Sequence, residues 1–290
     1  MSVSEEQINL LRLRQLNFKV HEYRIEKAWN RFLNAGFKPF LIKGWAAAQY
    51  YDNPFDREFN DIDLVIEPED FERAEFYQNN YREDNTAIDL HRGLRQLDTL
   101  SFDDLYERSQ IVRCGQTEVR VLCPEDHLRV LCVHWLIDGG AKKEKLADIY
   151  YLVKNRSPEF DWERCLNVVS QTRRKWITCT IALAGIYLDL DLKDTPLAAE
   201  KVEIPKWLLK ALEKEWQSDV LLLPIHYYLN NRRELWRQIK KRIPPNPIQA
   251  TIDMEGEFDN RPRFFYQTGD IFFRLKPSVK RITRRLFSKK

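Results

Sequence analysis

The chain reads PFLIKGWA over residues 39–46 and REFNDIDLVI over residues 57–66. The first stretch is typical of a short apolar strand that ends at a glycine and leads into an alanine-rich helix. The second is typical of a strand in which Asp61 and Asp63 stand two residues apart. Because side chains alternate between the two faces of a strand, both carboxylates point to one face and Ile62 points into the core. The two stretches therefore predict an acidic site on one face of a sheet.

The paired acids predict a cation site. Neighbouring carboxylates repel each other, and a fold tolerates the pair best when a cation lies between them. Ligands that are all oxygen suit Mg²⁺ or Mn²⁺, and hence phosphate chemistry. The segment TAIDLH at residues 86–91 predicts a further strand with Asp89 and His91 on one face. Asp89 is the candidate for a third carboxylate.

Transfer of a nucleotidyl group fits such residues. Two divalent ions, about 3.5–4 Å apart, can stabilise both the attacking and the departing oxygen. A glycine at a strand-to-helix turn, such as Gly44, lets backbone N–H groups approach a triphosphate with the help of the helix dipole. Lys43 either reaches a phosphate or extends to the surface. Arg57 either binds phosphate as a planar donor fork or pairs with Asp61 or Asp63.

The chain resembles the nucleotidyltransferases of the polymerase-β-like superfamily in LIKG (41–44), Arg57, DIDLV (61–65) and IDLH (88–91). The resemblance is to the branch usually called uncharacterised nucleotidyltransferases. That branch continues into segments similar to VLCPEDHL (121–128), LCVH (131–134) and LADI (146–149). The resemblance covers residues 37–153 and, more loosely, the helices after them.

This resemblance implies an α/β (α+β) fold, in which a small mixed sheet flanked by helices is followed by a helical half. It implies Mg²⁺-dependent (or Mn²⁺-dependent) transfer of a nucleoside monophosphate from an NTP to a hydroxyl group of an acceptor, which is a small molecule, a protein or an RNA. The predicted catalytic and metal-binding residues are Asp61, Asp63 and Asp89. The predicted nucleotide-binding residues are Lys43, Gly44, Trp45, Arg57 and His91.

Trp45 departs from the superfamily pattern, in which a small residue most often follows the turn glycine. The bulky side chain either narrows the triphosphate pocket or turns into the core. A narrowed pocket would favour an alternative function, in which the fold has lost turnover and serves as a binding or regulatory module. Such a module is antitoxin-like or a partner in a biosynthesis cluster.

The composition predicts a folded, cytoplasmic protein. Hydrophobic residues make up 43% and aromatic residues 12% of the 290 residues, which is typical of globular proteins. Five scattered cysteines form no CxxC pair, and this pattern fits reduced thiols better than a disulfide framework. The amino terminus has no apolar run like that of a signal peptide, and no stretch approaches the roughly 18 apolar residues of a membrane span.

Sequence patterns divide the chain into four predicted regions. These are an N-terminal helix that packs on the core (1–36), a nucleotidyltransferase α/β domain (37–123), a helical domain (124–243) and a basic aromatic tail (244–290). Within the helical domain, helices are predicted at residues 124–137, 143–154, 161–171, 174–189, 206–217 and 219–241.

The tail has an uneven charge. Residues 261–290 contain ten Lys or Arg against one Asp, interleaved with aromatic residues. Such a segment either binds RNA or an anionic membrane surface, or packs its aromatic side chains on the acidic body of the protein. A short amphipathic helix is predicted at residues 278–287.

Overall fold

A five-stranded mixed sheet forms the centre of the residues described by the computed structural model, which are 5–81, 87–94, 100–228 and 230–274. The strands are β1 (Phe40–Ile42), β2 (Ile62–Ile66), β3 (Ile88–Arg92), β4 (Gln110–Cys114) and β5 (Thr117–Val121). Their order is β3-β2-β1-β5-β4. The β1–β2 and β4–β5 pairs are antiparallel, and the β1–β5 and β2–β3 pairs are parallel. The predicted α/β fold with a small mixed sheet is confirmed.

Helices surround this sheet and make up the second half of the chain. They are α1 (Glu5–Asn34), α2 (Gly44–Ala48), α3 (Phe71–Asn80), α4 (Phe102–Arg108), α5 (Pro124–Ile137), α6 (Leu146–Lys154), α7 (Trp162–Asn167), α8 (Gln171–Leu188), α9 (Lys206–Trp216), α10 (Arg232–Arg242), α11 (Pro247–Asp253) and α12 (264–274). Among the described residues, none of these helices combines the length and the apolar character that crossing a membrane requires.

Helix α1 covers one face of the sheet. Apolar residues recur along it at three- and four-residue steps, as expected for an amphipathic helix. Phe18, Ile25, Trp29 and Phe32 are buried and pack with the sheet residues Leu41, Ile62 and Leu64. The predicted inward orientation of Ile62 is therefore confirmed.

The opposite face of the sheet packs on the helical half. Phe40, Ile42 and Val65 belong to a second apolar cluster, together with buried residues of α5, α6 and α8. Because side chains alternate along β2, Asp63 lies on the same face as Val65. Asp63 therefore faces the helical half of the molecule.

The link between the two halves is short. Strand β5 ends at Val121, and α5 begins at Pro124, where a proline is well tolerated because the first helical N–H has no intrahelical partner. The predicted boundary between residues 123 and 124 falls in this link. Since one apolar cluster joins sheet and helices, the division into four regions stays a prediction.

The predicted helix at 219–241 is wrong in its first half, because α10 begins only at Arg232. Pro224 has no backbone N–H and disfavours helical geometry in Leu223 before it. The Asn231 side chain then caps α10 by accepting a hydrogen bond from the Glu234 N–H at 3.2 Å. Helices α11 and α12 were not predicted, and the predicted helix at 278–287 lies outside the described residues.

Candidate functional site

The turn after β1 has a backbone that few L-residues adopt. Lys43 has φ 50° and ψ −145°, and Gly44 follows with φ 31°. The Lys43 N–H donates a hydrogen bond to Nε2 of the buried His127 at 3.0 Å, which holds the turn in place. A Cβ on Gly44 would meet only ordinary contacts, the nearest at 3.6 Å. The positive φ, rather than a lack of space, therefore explains this glycine.

Helix α2 after this turn is a single turn of five residues. A helix dipole arises from aligned peptide units along the helix, so α2 supplies only a small one. The predicted aid from the helix dipole at Gly44 is correspondingly weak, and backbone N–H groups and nearby cations are left as the candidates for anion binding.

Asp63, Asp89 and His91 form a cluster of candidate metal ligands on β2 and β3. The parallel register places Asp63 beside Asp89 and Val65 beside His91. One ligand atom from each of the three residues lies within 4.8 Å of the other two. His91 Nε2 is 2.9 Å from Asp63 Oδ1 and 3.4 Å from Asp89 Oδ2. Asp63 is buried and the Asp89 side chain is 59% exposed, so the cluster opens to solvent on one side.

Asp61 lies apart from this cluster. Strand β2 begins at Ile62, so Asp61 sits on the bend before the strand, where the strict alternation of side chains does not apply. Its side chain is exposed and lines the cavity next to the cluster. The structure thus brings together two of the three predicted carboxylates, Asp63 and Asp89, and places His91 with them.

Lys43 extends inward to Asp63 rather than to the surface. Its Nζ lies 2.5 Å from Asp63 Oδ1 and 3.3 Å from His91 Nε2, and both side chains of the ion pair are buried. Burial alone would raise the pKa of Asp63, but the hydrogen bond with His91 and the charge of Lys43 outweigh it and hold this pKa below its ordinary value. Asp63 is therefore ionised at neutral pH.

A polar cavity of about 200 Å³ lies beside the cluster, between the sheet and the helical half. Cationic side chains reach it from both halves, among them Lys43, Lys142 and Lys145. His134 also lines it, and burial together with the charge of Lys43 lowers the pKa of His134 to about 4. The imidazole of His134 is therefore neutral at pH 7. Cations and carboxylates share this cavity, as binding of a metal–phosphate group requires.

Arg57 is paired with Asp148 of α6, and not with Asp61 or Asp63. Its Nε and Nη2 donate to the two carboxylate oxygens of Asp148 at 3.0 and 2.9 Å, and Tyr51 Oη donates to Oδ1 at 2.6 Å. Of the two alternatives for Arg57, the structure does not show the pairing with Asp61 or Asp63, because Asp148 presents both its oxygens to the planar guanidinium. Arg57 lines the polar cavity, and its proposed contact with phosphate stays a prediction.

Trp45 turns into the core. Its side chain is only 2% exposed and packs in the apolar cluster under α1. The indole N–H donates to Glu22 Oε1 at 3.3 Å. The structure therefore does not bring the Trp45 side chain to the polar cavity, and the bulky residue after Gly44 does not narrow it.

Several residues of the cavity were not predicted as site residues. They come from α5, the segment after it and α6: His134, Lys142, Lys145 and Asp148. The basic run KKEK at residues 142–145 and the acid in LADI at 146–149 were visible in the sequence. About eighty residues or more separate these two segments from the DID segment. The sequence alone therefore did not show that they lie at the same cavity.

The residues of the cluster fit a divalent cation. Asp63 and Asp89 offer carboxylate oxygens and His91 an imidazole nitrogen. The two described partners of Asp63, Lys43 and His91, both contact its Oδ1, whereas its Oδ2 lies near Gly44. Carboxylates suit Mg²⁺ and Mn²⁺, and an imidazole moves the preference from Mg²⁺ towards transition metals such as Mn²⁺.

Comparison with known proteins agrees with the sequence motifs. Residues 12–184, more than half of the chain, match the sequence model of a family described as "Uncharacterised nucleotidyltransferase". A similar solved structure is that of an antigenic nucleotidyltransferase-like protein from Paracoccidioides brasiliensis. The TM-score is 0.35 and the sequence identity 13%, over 61% of this chain and 89% of that chain. No curated protein sequence matches the chain.

Proposed function

The chain belongs to the family of uncharacterised nucleotidyltransferases, and on this premise we propose that it transfers a nucleoside monophosphate from an NTP to a hydroxyl group of an acceptor. The observation that carries this proposal is the Asp63–Asp89–His91 cluster at the edge of a cavity lined with cations. Nucleotidyl transfer needs this combination, because a divalent ion and a polyphosphate must lie side by side.

Asp63, Asp89 and His91 would hold the divalent ion. When bound, such an ion supplies neutralisation of phosphate charge and polarisation of the reacting phosphorus. The chemistry of the ligands supports Mg²⁺ or Mn²⁺, with His91 favouring Mn²⁺. Asp61, which is exposed at the same cavity, would add a further negative charge that attracts the divalent ion.

The cations of the cavity bind the polyphosphate. Lys142 and Lys145 approach from the helical half, opposite the β1–α2 turn with Lys43 and Gly44. Hydrogen bonds from a charged donor to a phosphate oxygen are stronger than those between neutral groups. Their energy is larger in a partly enclosed site, because water screens the charges less there. The ammonium of Lys43 lies next to the cluster, so it is placed to contact the triphosphate close to the reacting phosphorus.

Asp89 is the proposed base. Its side chain is the exposed carboxylate of the cluster and can therefore meet an acceptor that arrives from solvent. The acceptor oxygen forms a bond to the α-phosphorus, and the bond from that phosphorus to the bridging oxygen breaks. Pyrophosphate leaves, and the proton of the acceptor hydroxyl passes to Asp89.

Free, buried cysteines fit a reducing compartment, and we place the enzyme in the cytoplasm.

The alternative of a non-catalytic binding module was suggested by Trp45 in the triphosphate pocket. Since the side chain lies in the core, Trp45 no longer favours that alternative. Transfer of the nucleotidyl group separates the two functions, because a module binds NTP without transferring it to an acceptor.

The test is transfer of α-labelled phosphate from each NTP, with Mg²⁺ or Mn²⁺, to acceptors in a native lysate. We expect labelled product with the natural chain and a loss of about a hundredfold or more for Asp63→Asn. Asp70→Asn is the matched control, because the Asp70 side chain makes no capping hydrogen bond at the start of α3 and pairs with Arg73, away from the cavity. Transfer that persists in an Asp63→Asn/Asp89→Asn double variant would contradict the proposal.

A further inference from the structure

A second cavity, of about 320 Å³, lies between α1 and the segment at residues 57–60. One wall of it is aromatic and is formed by Phe18, Phe55 and Phe59. The Phe18 ring meets the other two edge to face, with ring centres 5.1 Å from Phe55 and 5.6 Å from Phe59. We call this space the aromatic cavity. Among the described residues that line it, none belongs to the cluster of candidate metal ligands, so the proposed metal ion does not account for it.

Polar side chains with unused hydrogen-bonding groups surround this aromatic wall. Asn17, His21 and Asn60 all line the aromatic cavity. Within the described part of the chain, none of the three side chains hydrogen-bonds to another side chain or to the backbone. Their donors and acceptors are therefore available to a ligand in the cavity.

Arg14 of α1 lines the same cavity and is held only loosely. Its contacts with the carboxylates of Asp56 and Glu58 are 3.7 and 3.9 Å long, which is beyond hydrogen-bond distance. Its Nε is buried and has no hydrogen-bond partner among the described residues. A buried donor without a partner is unfavourable, so a ligand with acceptor atoms at this place would stabilise the arrangement.

His21 presents a neutral ring to the aromatic cavity. Its ring centre lies 4.9 Å from that of Phe59. Burial, and after it the charge of Arg24, lowers the pKa of His21 below its ordinary value. The imidazole is therefore neutral at pH 7 and offers one N–H donor and one nitrogen acceptor. A neutral ring beside phenyl groups suits an uncharged, flat ligand whose edge carries both donors and acceptors.

The aromatic cavity adjoins the polar cavity that would hold the triphosphate. Four consecutive residues, 57–60, line both cavities, and Asp61 and Asp63 follow them in the chain. A nucleotide whose α-phosphate lies beside Asp63 can therefore extend its ribose past Asn60 and its nucleobase into the aromatic cavity. Asp89, the general base proposed for the acceptor, does not line the aromatic cavity. The cavity is thus left for the NTP rather than for the acceptor.

From these observations we propose that the aromatic cavity binds the nucleobase of the NTP and selects a purine. Aromatic side chains bind nucleobases by stacking, and a two-ring base covers more of such a wall than a one-ring base does. Asn side chains match the N6/N7 edge of adenine, and Arg side chains match the O6/N7 edge of guanine. This inference rests on the proposed function, because the α-phosphate at Asp63 is what positions the nucleoside.

The experiment is calorimetric titration of the full chain, in the presence of Mn²⁺, with the α,β-methylene analogues of ATP, GTP, CTP and UTP. These analogues cannot transfer their nucleotidyl group. We expect at least one purine analogue to bind at least tenfold more tightly than tripolyphosphate and than either pyrimidine analogue. In Asn17→Ala/His21→Ala the purine analogue should lose at least tenfold in affinity, whereas tripolyphosphate should bind as it does to the natural chain.

A single variant covers the case in which loss of the His21 ring impairs folding. Asn17→Ala removes only an exposed amide and should weaken binding of the purine analogue about fivefold. Asn9→Ala/Gln15→Ala is the matched control, since both side chains are exposed on α1 and do not line the cavity. The proposal is overturned if no analogue binds more tightly than tripolyphosphate, if the pyrimidine analogues bind as tightly as the purine analogues, or if Asn17→Ala and the control behave alike.

A transfer assay with the same variants separates this proposal from the proposed function. Base-dependent binding without any transfer of α-labelled phosphate would remove the function and keep the aromatic cavity as a purine site. Transfer that proceeds equally well from all four NTPs, in the natural chain and in Asn17→Ala, would keep the function and overturn the role of the cavity.

Discussion

Asp63 and Asp126 are both buried aspartates beside cations, but their partners differ in kind. Asp126 accepts from Arg164 Nε and Nη2 on its two oxygens at 3.0 and 2.7 Å, and from Arg129 Nη2 at 2.6 Å. Asp63 instead faces the ammonium of Lys43 and the imidazole of His91. Burial raises the pKa of both carboxyl groups, yet their partners reverse this and hold each pKa below its ordinary value.

This difference distinguishes a structural ion pair from a site. A guanidinium fork fixes both oxygens of a carboxylate and leaves little for a ligand. An ammonium is a point charge on a flexible stem, and an imidazole is itself a common metal ligand. A ligand can therefore replace the partners of Asp63, whereas the guanidinium groups around Asp126 leave no oxygen free for a ligand. We expect Asp126 to control stability and Asp63 to control ligand binding.

The largest loss of stability is expected for Asp126→Ala. The variant leaves the buried charge of Arg129 without its carboxylate and leaves Arg164 with the half-exposed Asp104 alone, which costs about 3–5 kcal/mol of unfolding free energy. Denaturant unfolding followed by circular dichroism measures it. Asp104→Ala is the control, since half-exposed Asp104 also accepts from Arg164, at 2.9 Å, and should cost less than about 1 kcal/mol. Equal losses in the two variants would show that Asp126 has no special role.

Asp148→Asn should cause the next largest loss of stability. It leaves the largely buried charge of Arg57 with neutral acceptors only, the amide oxygen at position 148 and the Glu58 carbonyl, at a cost of about 2–3 kcal/mol of unfolding free energy. A double-mutant cycle with Arg57→Met tests the pairing, because a direct ion pair gives a coupling energy of about 1–3 kcal/mol. Strictly additive losses would mean that the two side chains do not stabilise the contact between the sheet and α6.

His127 predicts a loss of stability in mild acid. Burial, more than any nearby charge, lowers the pKa of His127 from 6.5 to about 4. The unfolded chain thus binds more protons between these two pH values, so stability falls as the pH falls through this window. A protonated Nε2 also loses the hydrogen bond that it accepts from Lys43 N–H.

The loss attributed to His127 is about 3 kcal/mol between pH 7 and pH 4. Urea unfolding across this range, compared with His127→Gln, isolates it from the other groups that titrate there, among them His134, whose pKa burial also lowers to about 4. We expect a flatter pH dependence in the variant. An unchanged slope would show that His127 does not titrate in this way.

Lys43→Met sharpens the comparison at Asp63 itself. Removal of the ammonium leaves Asp63 Oδ1 paired with His91 Nε2 and takes a competing positive charge away from the cluster. The affinity for Mn²⁺ should therefore rise about tenfold while nucleotidyl transfer falls. Calorimetric titration with Mn²⁺ measures the affinity. Lys145→Met is the control, because Lys145 lines the cavity but its Nζ pairs with Asp138 at 3.2 Å. A lower Mn²⁺ affinity in Lys43→Met would contradict the proposed competition.

The sequence predicted the parts of the site that depend on local pattern. Alternation of apolar residues predicted β2 and β3, and the strand register then explains why Asp63 and Asp89 meet. The start of β2 at Ile62 could not be predicted to one residue, and Asp61 was misplaced for that reason. Asp148 was missed as the partner of Arg57 because 91 residues separate them, and only tertiary packing brings them together.

Trp45→Phe is expected to have the smallest effect on the site. The phenyl ring leaves part of the indole volume in the core under α1 unfilled, and the polar loss is the hydrogen bond at 3.3 Å to Glu22, which keeps Lys19 as a partner. A cost of about 1–3 kcal/mol of unfolding free energy follows for the cavity and this bond. Thermal melts should shift downward, and titration with Mg²⁺ and NTP should give the affinity of the natural chain. A several-fold change in NTP affinity would mean that the core position of Trp45 shapes the turn at Gly44. The distinction between residues that stabilise the fold and residues that bind ligand, which Asp126 and Asp63 illustrate, would then be weaker.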